Sequence, residues 1–123
     1  MSHFYFLDKA RQESLKSSYK YRLGAVLVRK GKIISRGYNK ISHNPLKFFR
    51  KWDNSIHAEI DCIIKAPYEM VGGSTLYIFR ELKTGELAMA RPCEFCLAYI
   101  HYRKLKKIVY TISEYPGYLE EKI

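Results

Sequence analysis

The sequence predicts one α/β domain spanning residues 1–123. Helix-period and strand-period segments alternate along the chain, and 47% of the residues are apolar, enough to bury a core without staples. No linker, internal repeat or low-complexity stretch divides it.

Phe4, Leu7, Arg11 and Leu15 fall at near-helical spacing with polar residues between them, which predicts an amphipathic helix over 4–15 that ends near Ser17-Ser18. Leu23 to Val28 is β-prone, Arg29-Lys30-Gly31-Lys32 is turn-like, and Ile33 to Tyr38 resumes strand character. A β-hairpin is expected there, with Gly37 marking the strand end. From Asn39 to Ile56 periodicity is lost, Asn44-Pro45 interrupts, and bases mix with aromatics, so a long loop is expected.

Ala58, Ile60, Cys62, Ile63 and Ile64 suit a largely buried helix over 57–66, stopped by Pro67. A Gly72-Gly73 turn leads to a strand over 75–79. Glu81 to Arg91, centred on Thr84-Gly85, reads as a short excursion or hairpin, and Pro92 opens a helix over 93–103. Leu105 to Thr111 makes a last strand. The order α, β, β, α, β, α, β holds two β-α-β stretches, which predict right-handed crossovers and parallel pairing beside the hairpin.

Composition narrows the class of function. Three cysteines, two of them in a C-x-x-C pair (Cys93, Cys96), fit a metal clamp or redox pair better than a secreted disulfide framework, which places the chain in a reducing compartment. Met1 to Leu7 lacks a basic n-region and a cleavage site, and no apolar run approaches bilayer length. A soluble cytoplasmic protein without a membrane partner is expected. Lysine and arginine total 22 against 12 acidic residues, a net charge of +10. That charge suits capture of nucleotides or nucleic acid, and equally a solvated lysine-rich surface.

Two short motifs carry the chemistry: His57-Ala58-Glu59 and Pro92-Cys93-Glu94-Phe95-Cys96. Each opens a helix, and in a β-α-β-α array the helices of one face run side by side, so the two helix starts can meet at one sheet edge. Cys93 and Cys96, at i and i+3, share a helix face and can grip one ion while His57 supplies a nitrogen. Three protein ligands with a fourth position for water mark a catalytic zinc site rather than a structural one. Cys62 lies five residues beyond His57, about 140° further round a regular helix, and reads as a small core residue. Glu59 sits in the first helical turn outside the ligand set, placed to act as the catalytic base.

H-x-E followed by P-C-x-x-C is the signature of zinc nucleobase deaminases. The chain resembles the cytidine deaminase superfamily over nearly its whole length, through Gly37-Tyr38-Asn39, His57-Ala58-Glu59, Pro92-Cys93-Glu94-Phe95-Cys96 and Ile108-Val109-Tyr110. The resemblance implies a three-layer α/β/α sandwich around a central five-stranded mixed sheet, and one Zn²⁺ per chain on His57, Cys93 and Cys96. It further implies Glu59 as proton shuttle, Asn39 as a sugar or base contact, and self-association into a homo-oligomer. Ala58 and Pro92, flanking the ligands, join Asn39 as candidate substrate contacts, together with Tyr110 at the end of the last strand and the Ser113-Glu114-Tyr115 turn near the pocket mouth.

Leu97 after the second cysteine, Lys106-Lys107-Ile108-Val109-Tyr110 and the stop at Ile123 resemble the compact, phage-like deoxycytidylate deaminases more than the free-cytidine or tRNA-adenosine branches. The function so implied is deamination of dCMP to dUMP with release of ammonia. Two alternatives stand beside it. One is a deaminase acting on cytosine, or less readily adenine, in single-stranded DNA or RNA; the other is an inactive zinc-stabilised module that binds nucleotide or nucleic acid. Lys47, Arg50, Lys51 and Trp52 in the long loop are candidate phosphate or nucleic-acid contacts, because cations can follow phosphates while aromatic faces stack on bases. The loop aromatics can equally anchor on the core with the cations merely solvated. His43 and His101 read as structural or exposed, and His3 as disordered with the terminus.

Overall fold

The computed structural model describes residues 2–41 and 55–123. Helix α1 (His3–Ser14) begins at Ser2, whose hydroxyl accepts from the Tyr5 amide. Strands β1 (Leu23–Arg29) and β2 (Lys32–Tyr38) form the antiparallel hairpin. Its turn places Lys30 at φ 51° and Gly31 at φ 76°, the two left-handed residues that a tight hairpin twisting with its strands requires. Within the region read as a loop, β3 (Lys40–Ile41) and β4 (Ser55–Ile56) pair antiparallel and bring the two ends of that region together. Helix α2 (Ala58–Lys65), a single-turn α3 (Tyr68–Val71), β5 (Thr75–Arg80), α4 (Glu94–Tyr102), β6 (Lys107–Thr111) and β7 (Tyr118–Lys122) follow.

The five long strands make one mixed sheet in the order β2-β1-β5-β6-β7. Only β5 and β6 pair in parallel; β1 pairs antiparallel with β5, and β6 with β7. The expectation of two parallel pairings is therefore corrected. The chain leaving β2 crosses over β1, because β1 occupies the place beside β5. The fifth strand, β7, has no counterpart in the element-by-element reading of the sequence. It is an edge strand whose Tyr-Leu-Glu-Glu-Lys lacks clean alternation, and it keeps its charges at the rim, as edge strands commonly do. Between β5 and α4 the excursion is a small hairpin, with Leu82 N–H donating to Glu86 O at 2.7 Å and an isolated bridge between Glu81 and Leu87.

Side-chain alternation assigns the layers. Val26, Val28, Tyr77, Phe79 and Val109 face α1 and bury Phe6, Leu7 and Ala10. Ala25, Leu27, Leu76, Ile78, Ile108 and Tyr110 face the other way and pack with Ile60 and Ile63 of α2 and Cys96, Tyr99 and Ile100 of α4. The result is the expected α/β/α sandwich, held by full burial of large aliphatic side chains worth about 1.5–3 kcal/mol each.

Two glycines set how closely the helices approach. A Cβ on Gly24 would lie 2.0 Å from the Ala10 carbonyl oxygen of α1, and one on Gly37 would lie 2.5 Å from the Cys62 nitrogen and 2.7 Å from the Ala58 oxygen of α2. Gly37 therefore does not end its strand, since β2 continues through Tyr38. It clears the path for α2. Asp61, buried in α2, accepts from the Tyr38 amide at 3.2 Å and pairs with Lys40 and Lys65, both at 3.1 Å, which fastens α2 to the end of β2. His3, expected to be disordered, is instead in α1, with Nδ1 2.7 Å from the Tyr77 hydroxyl and Nε2 3.0 Å from Glu120.

Candidate active site

His57 is the N-cap of α2 and Cys93 the N-cap of α4, each with extended backbone and no side-chain capping bond. Their side chains are thus free of the usual capping task. Each caps through its carbonyl instead: Asp61 N–H donates to His57 O at 2.9 Å and Leu97 N–H to Cys93 O at 2.8 Å. Because α2 and α4 lie on the same sheet face, these two starts meet. His57 Nδ1 stands 3.2 Å from Cys96 Sγ and 3.7 Å from Cys93 Sγ, and the three donor atoms all lie within 4.8 Å of one another.

The spacing suits zinc. Tetrahedral Zn–S bonds of about 2.3 Å and Zn–N bonds of about 2.0–2.1 Å separate sulfur from nitrogen by about 3.5 Å, which the two observed distances bracket. Among the described residues no fourth His, Cys, Asp or Glu joins the group. Cys62 lies apart from it, fully buried, with the pKa of its thiol pushed up to about 12 by burial, and none of the three cysteines is in a disulfide.

Glu59, in the first turn of α2, is 3% exposed, and its Oε1 is the buried side-chain polar atom without a hydrogen-bond partner among the described residues. Burial raises the Glu59 carboxyl above its ordinary value. Its own main-chain N–H, the nearby His57 ring and the Cys96 thiol act in the opposite direction. A buried carboxylate oxygen with no partner is unfavourable for folding, so its presence beside a metal-donor triangle is a mark of function rather than of stability.

His57, Glu59 and Cys93 line one cleft of ≈ 670 Å³ together with Asn39, Ala58, Ala90, Tyr21, Lys20, Arg80 and Arg91. That volume lies within the usual range for small-molecule sites. Asn39 reaches the cleft wall while tying down the chain before β1: Leu23 N–H donates to its Oδ1 at 2.9 Å, and its Nδ2 donates to Tyr21 O at 2.6 Å. Tyr110, Pro92 and the Ser113–Tyr115 turn, expected at the pocket, are not among the described cleft-lining residues. Tyr110 is 3% exposed, packed under α2 and α4, and its hydroxyl donates to Glu121 at 2.5 Å, because the unforeseen β7 pairs along its strand. Lys47, Arg50, Lys51 and Trp52, and His43 with them, lie outside the described residues. Reading motifs alone missed Tyr21, Lys20 and Arg80; a cation-aromatic cluster immediately before the first strand signals Lys20 and Tyr21, whereas Arg80, at the end of β5, has no such signal.

An α/β/α sandwich with a His-Cys-Cys donor triangle and a buried carboxylate at two meeting helix starts defines a class of single-metal α/β sites. Residues 1–112 match the cytidine and deoxycytidylate deaminase zinc-binding region, and the chain belongs to that family. It is 31% identical over 107 residues to the chloroplastic tRNA(adenine(34)) deaminase of Arabidopsis thaliana, a match over 85% of this chain that spans only 7% of that much longer protein. In structure it is similar to the dCMP deaminase of cyanophage S-TIM5, with a TM-score of 0.70 and 22% identity over 89% of this chain and 82% of that one. It is equally similar to the cytidine deaminase of Burkholderia pseudomallei, with a TM-score of 0.71 and 16% identity over 99% of this chain and 93% of that one. Among the described residues no helix is long and apolar enough to cross a membrane.

Proposed function

We propose that this chain hydrolytically deaminates the cytosine of a nucleotide, with dCMP as substrate and dUMP and ammonia as products. The observation that carries the reading is the unpartnered, buried Glu59 Oε1 beside the His57, Cys93 and Cys96 donors. Zinc, held by those three residues, supplies Lewis-acid activation that brings the pKa of water to about 7. Glu59 takes a proton from the attacking water and delivers it to the ring nitrogen N3 as the C4–O bond forms. A second proton passes through Glu59 to the exocyclic amine, the C4–N bond breaks, and ammonia leaves with a carbonyl remaining at C4. First-turn amides at Ala58, which have no helical partner, are available to hold the base.

A second reading, deamination of a base within a single strand of nucleic acid, draws on the similarity to a tRNA adenine deaminase and on the net charge of +10. Both readings are tested by measuring ammonia release from dCMP, CMP, cytidine and a single-stranded cytosine oligonucleotide with zinc-loaded protein. Release from dCMP that a Glu59→Gln variant abolishes while still binding zinc supports the first. Turnover of the oligonucleotide alone replaces it with the second.

A further inference from the structure

We propose that Lys20 and Arg80, which converge on the ring of Tyr21 at the cleft, form a subsite for the phosphate of the nucleotide whose base enters the site. This rests on the deaminase reading above and names the group by which its substrate is selected. Arg80 stands 5.0 Å and the Lys20 ammonium 5.5 Å from the Tyr21 ring centroid, and all three residues line the same cleft as His57, Glu59 and Cys93.

Charge balance distinguishes this pair from the other cation there. Arg91 also lines the cleft, but Glu121 grips it at 2.7 and 3.2 Å and neutralises it. Among the described residues no carboxylate lies within ion-pair distance of Lys20 or Arg80. Apart from the ring, the Arg80 guanidinium reaches among the described residues a neutral carbonyl, Met89 O, at a long 3.4 Å. Both cations therefore line the cleft without a neutralising carboxylate, and a phosphate entering it can accept charge-assisted hydrogen bonds from them.

The backbone beneath Arg80 is fixed, and Tyr21, the neighbour of Lys20, is tied to it. Asn39 bonds to Tyr21 O and to Leu23 N–H, and Leu23 is the register partner of Arg80 across β1 and β5. Buried Thr111 accepts from the Arg80 amide at 3.1 Å and donates to Ala88 O at 2.8 Å. The Arg80 guanidinium is thus carried on a fixed strand end, which lowers the ordering cost of holding an anion there. Substrate geometry agrees. In a pyrimidine ring C4 lies opposite N1, so a base that presents C4 to Glu59 directs its sugar and phosphate away from the donors and toward the outer part of the cleft.

The test compares equilibrium binding of dUMP with that of deoxyuridine, and in a second arm a fluorescein-labelled single-stranded oligodeoxynucleotide. Zinc-loaded wild-type protein, Lys20→Gln/Arg80→Gln, and a control of equal charge change at two exposed sites, Lys32→Gln/Lys83→Gln, are titrated. The wild type binds dUMP more tightly than deoxyuridine, and the Lys20/Arg80 variant lowers that ratio by about tenfold to a hundredfold while the control does not. A fall in the oligonucleotide arm alone assigns the phosphate to a polynucleotide rather than a mononucleotide. An unchanged preference in both arms, equal weakening of dUMP and deoxyuridine, or no phosphate preference in the wild type overturns the proposal. Lys20→Gln alone, on an exposed segment, carries the test if the Arg80 change unfolds the chain. Because binding is read without turnover, failure of the ammonia assay and failure of this subsite are separate results.

Discussion

Gly37 and Cys62 are in backbone contact: a Cβ on Gly37 would sit 2.5 Å from the Cys62 nitrogen, closer than any side-chain carbon tolerates. This contact sets the height of α2 above the sheet, and α2 carries His57 at its cap and Glu59 in its first turn. The metal site is therefore built partly by the absence of a side chain at Gly37, two residues before Asn39 of the cleft wall.

Gly37→Ala is accordingly expected to damage stability and site together. The clash is with main chain, which cannot swing aside, so α2 must lift, at about 1–3 kcal/mol as for other overpacked cores. Urea unfolding should show that loss, and a zinc titration should show weaker binding because His57 moves with the helix. Wild-type values in both measurements would mean that α2 is not seated by this contact.

Removing the metal should loosen the whole domain. Among the described residues the metal-donor group lies where the two helix starts meet and exists only in the folded chain, so zinc at a free concentration a hundredfold above its dissociation constant should stabilise the folded state by about 2.7 kcal/mol. Thermal unfolding with and without chelator reads this difference. His57→Ala and Cys93→Ala should abolish the response, whereas Cys62→Ala should keep one zinc per chain. Loss of zinc in the Cys62 variant would show that the ligand set is wrong.

Glu59→Gln separates catalysis from folding. The amide keeps the shape and removes a buried charge whose Oε1 has no partner, so stability should be unchanged or higher. Deamination should fall by about 10²–10⁴-fold, the usual contribution of positioned proton transfer. A variant as active as wild type would remove Glu59 from the mechanism.

Acid should weaken the attachment of β7. The Arg91 guanidinium and then the Tyr110 hydroxyl hold the Glu121 carboxyl below its ordinary value, and Lys107 does the same for Glu120. Depressed carboxyls contribute stability above the ordinary value of 4.5, and that contribution disappears as pH falls through their lowered folded-state values. Because both glutamates are substantially exposed, the effect is modest. Denaturation followed between pH 6 and pH 3 should slope less steeply in Glu120→Gln/Glu121→Gln, and identical slopes would show that these pairs hold nothing.

Much of this protein was readable from residue order alone. The three longer helices and the first four long strands follow from local periodicity and from turn signals such as Lys30-Gly31, since amphipathic segments must bury one face wherever they end up, whereas the single-turn α3 was not read. The donor set was readable too, because a C-x-x-C pair and an H-x-E each mark a helix start, where side chains can project past the end of the helix. What neighbours what was not. Strand order, the passage of the chain over β1, the role of Gly37 and the pairing of β7 depend on contacts between residues far apart in sequence, which carry no local pattern. For the same reason Tyr110 turned from an expected pocket residue into a partner of Glu121, and Lys20, Tyr21 and Arg80 became a cluster only when β1 and β5 were set side by side. Local spacing determines which groups can bind a metal; only packing in three dimensions decides which other side chains look into the same cleft.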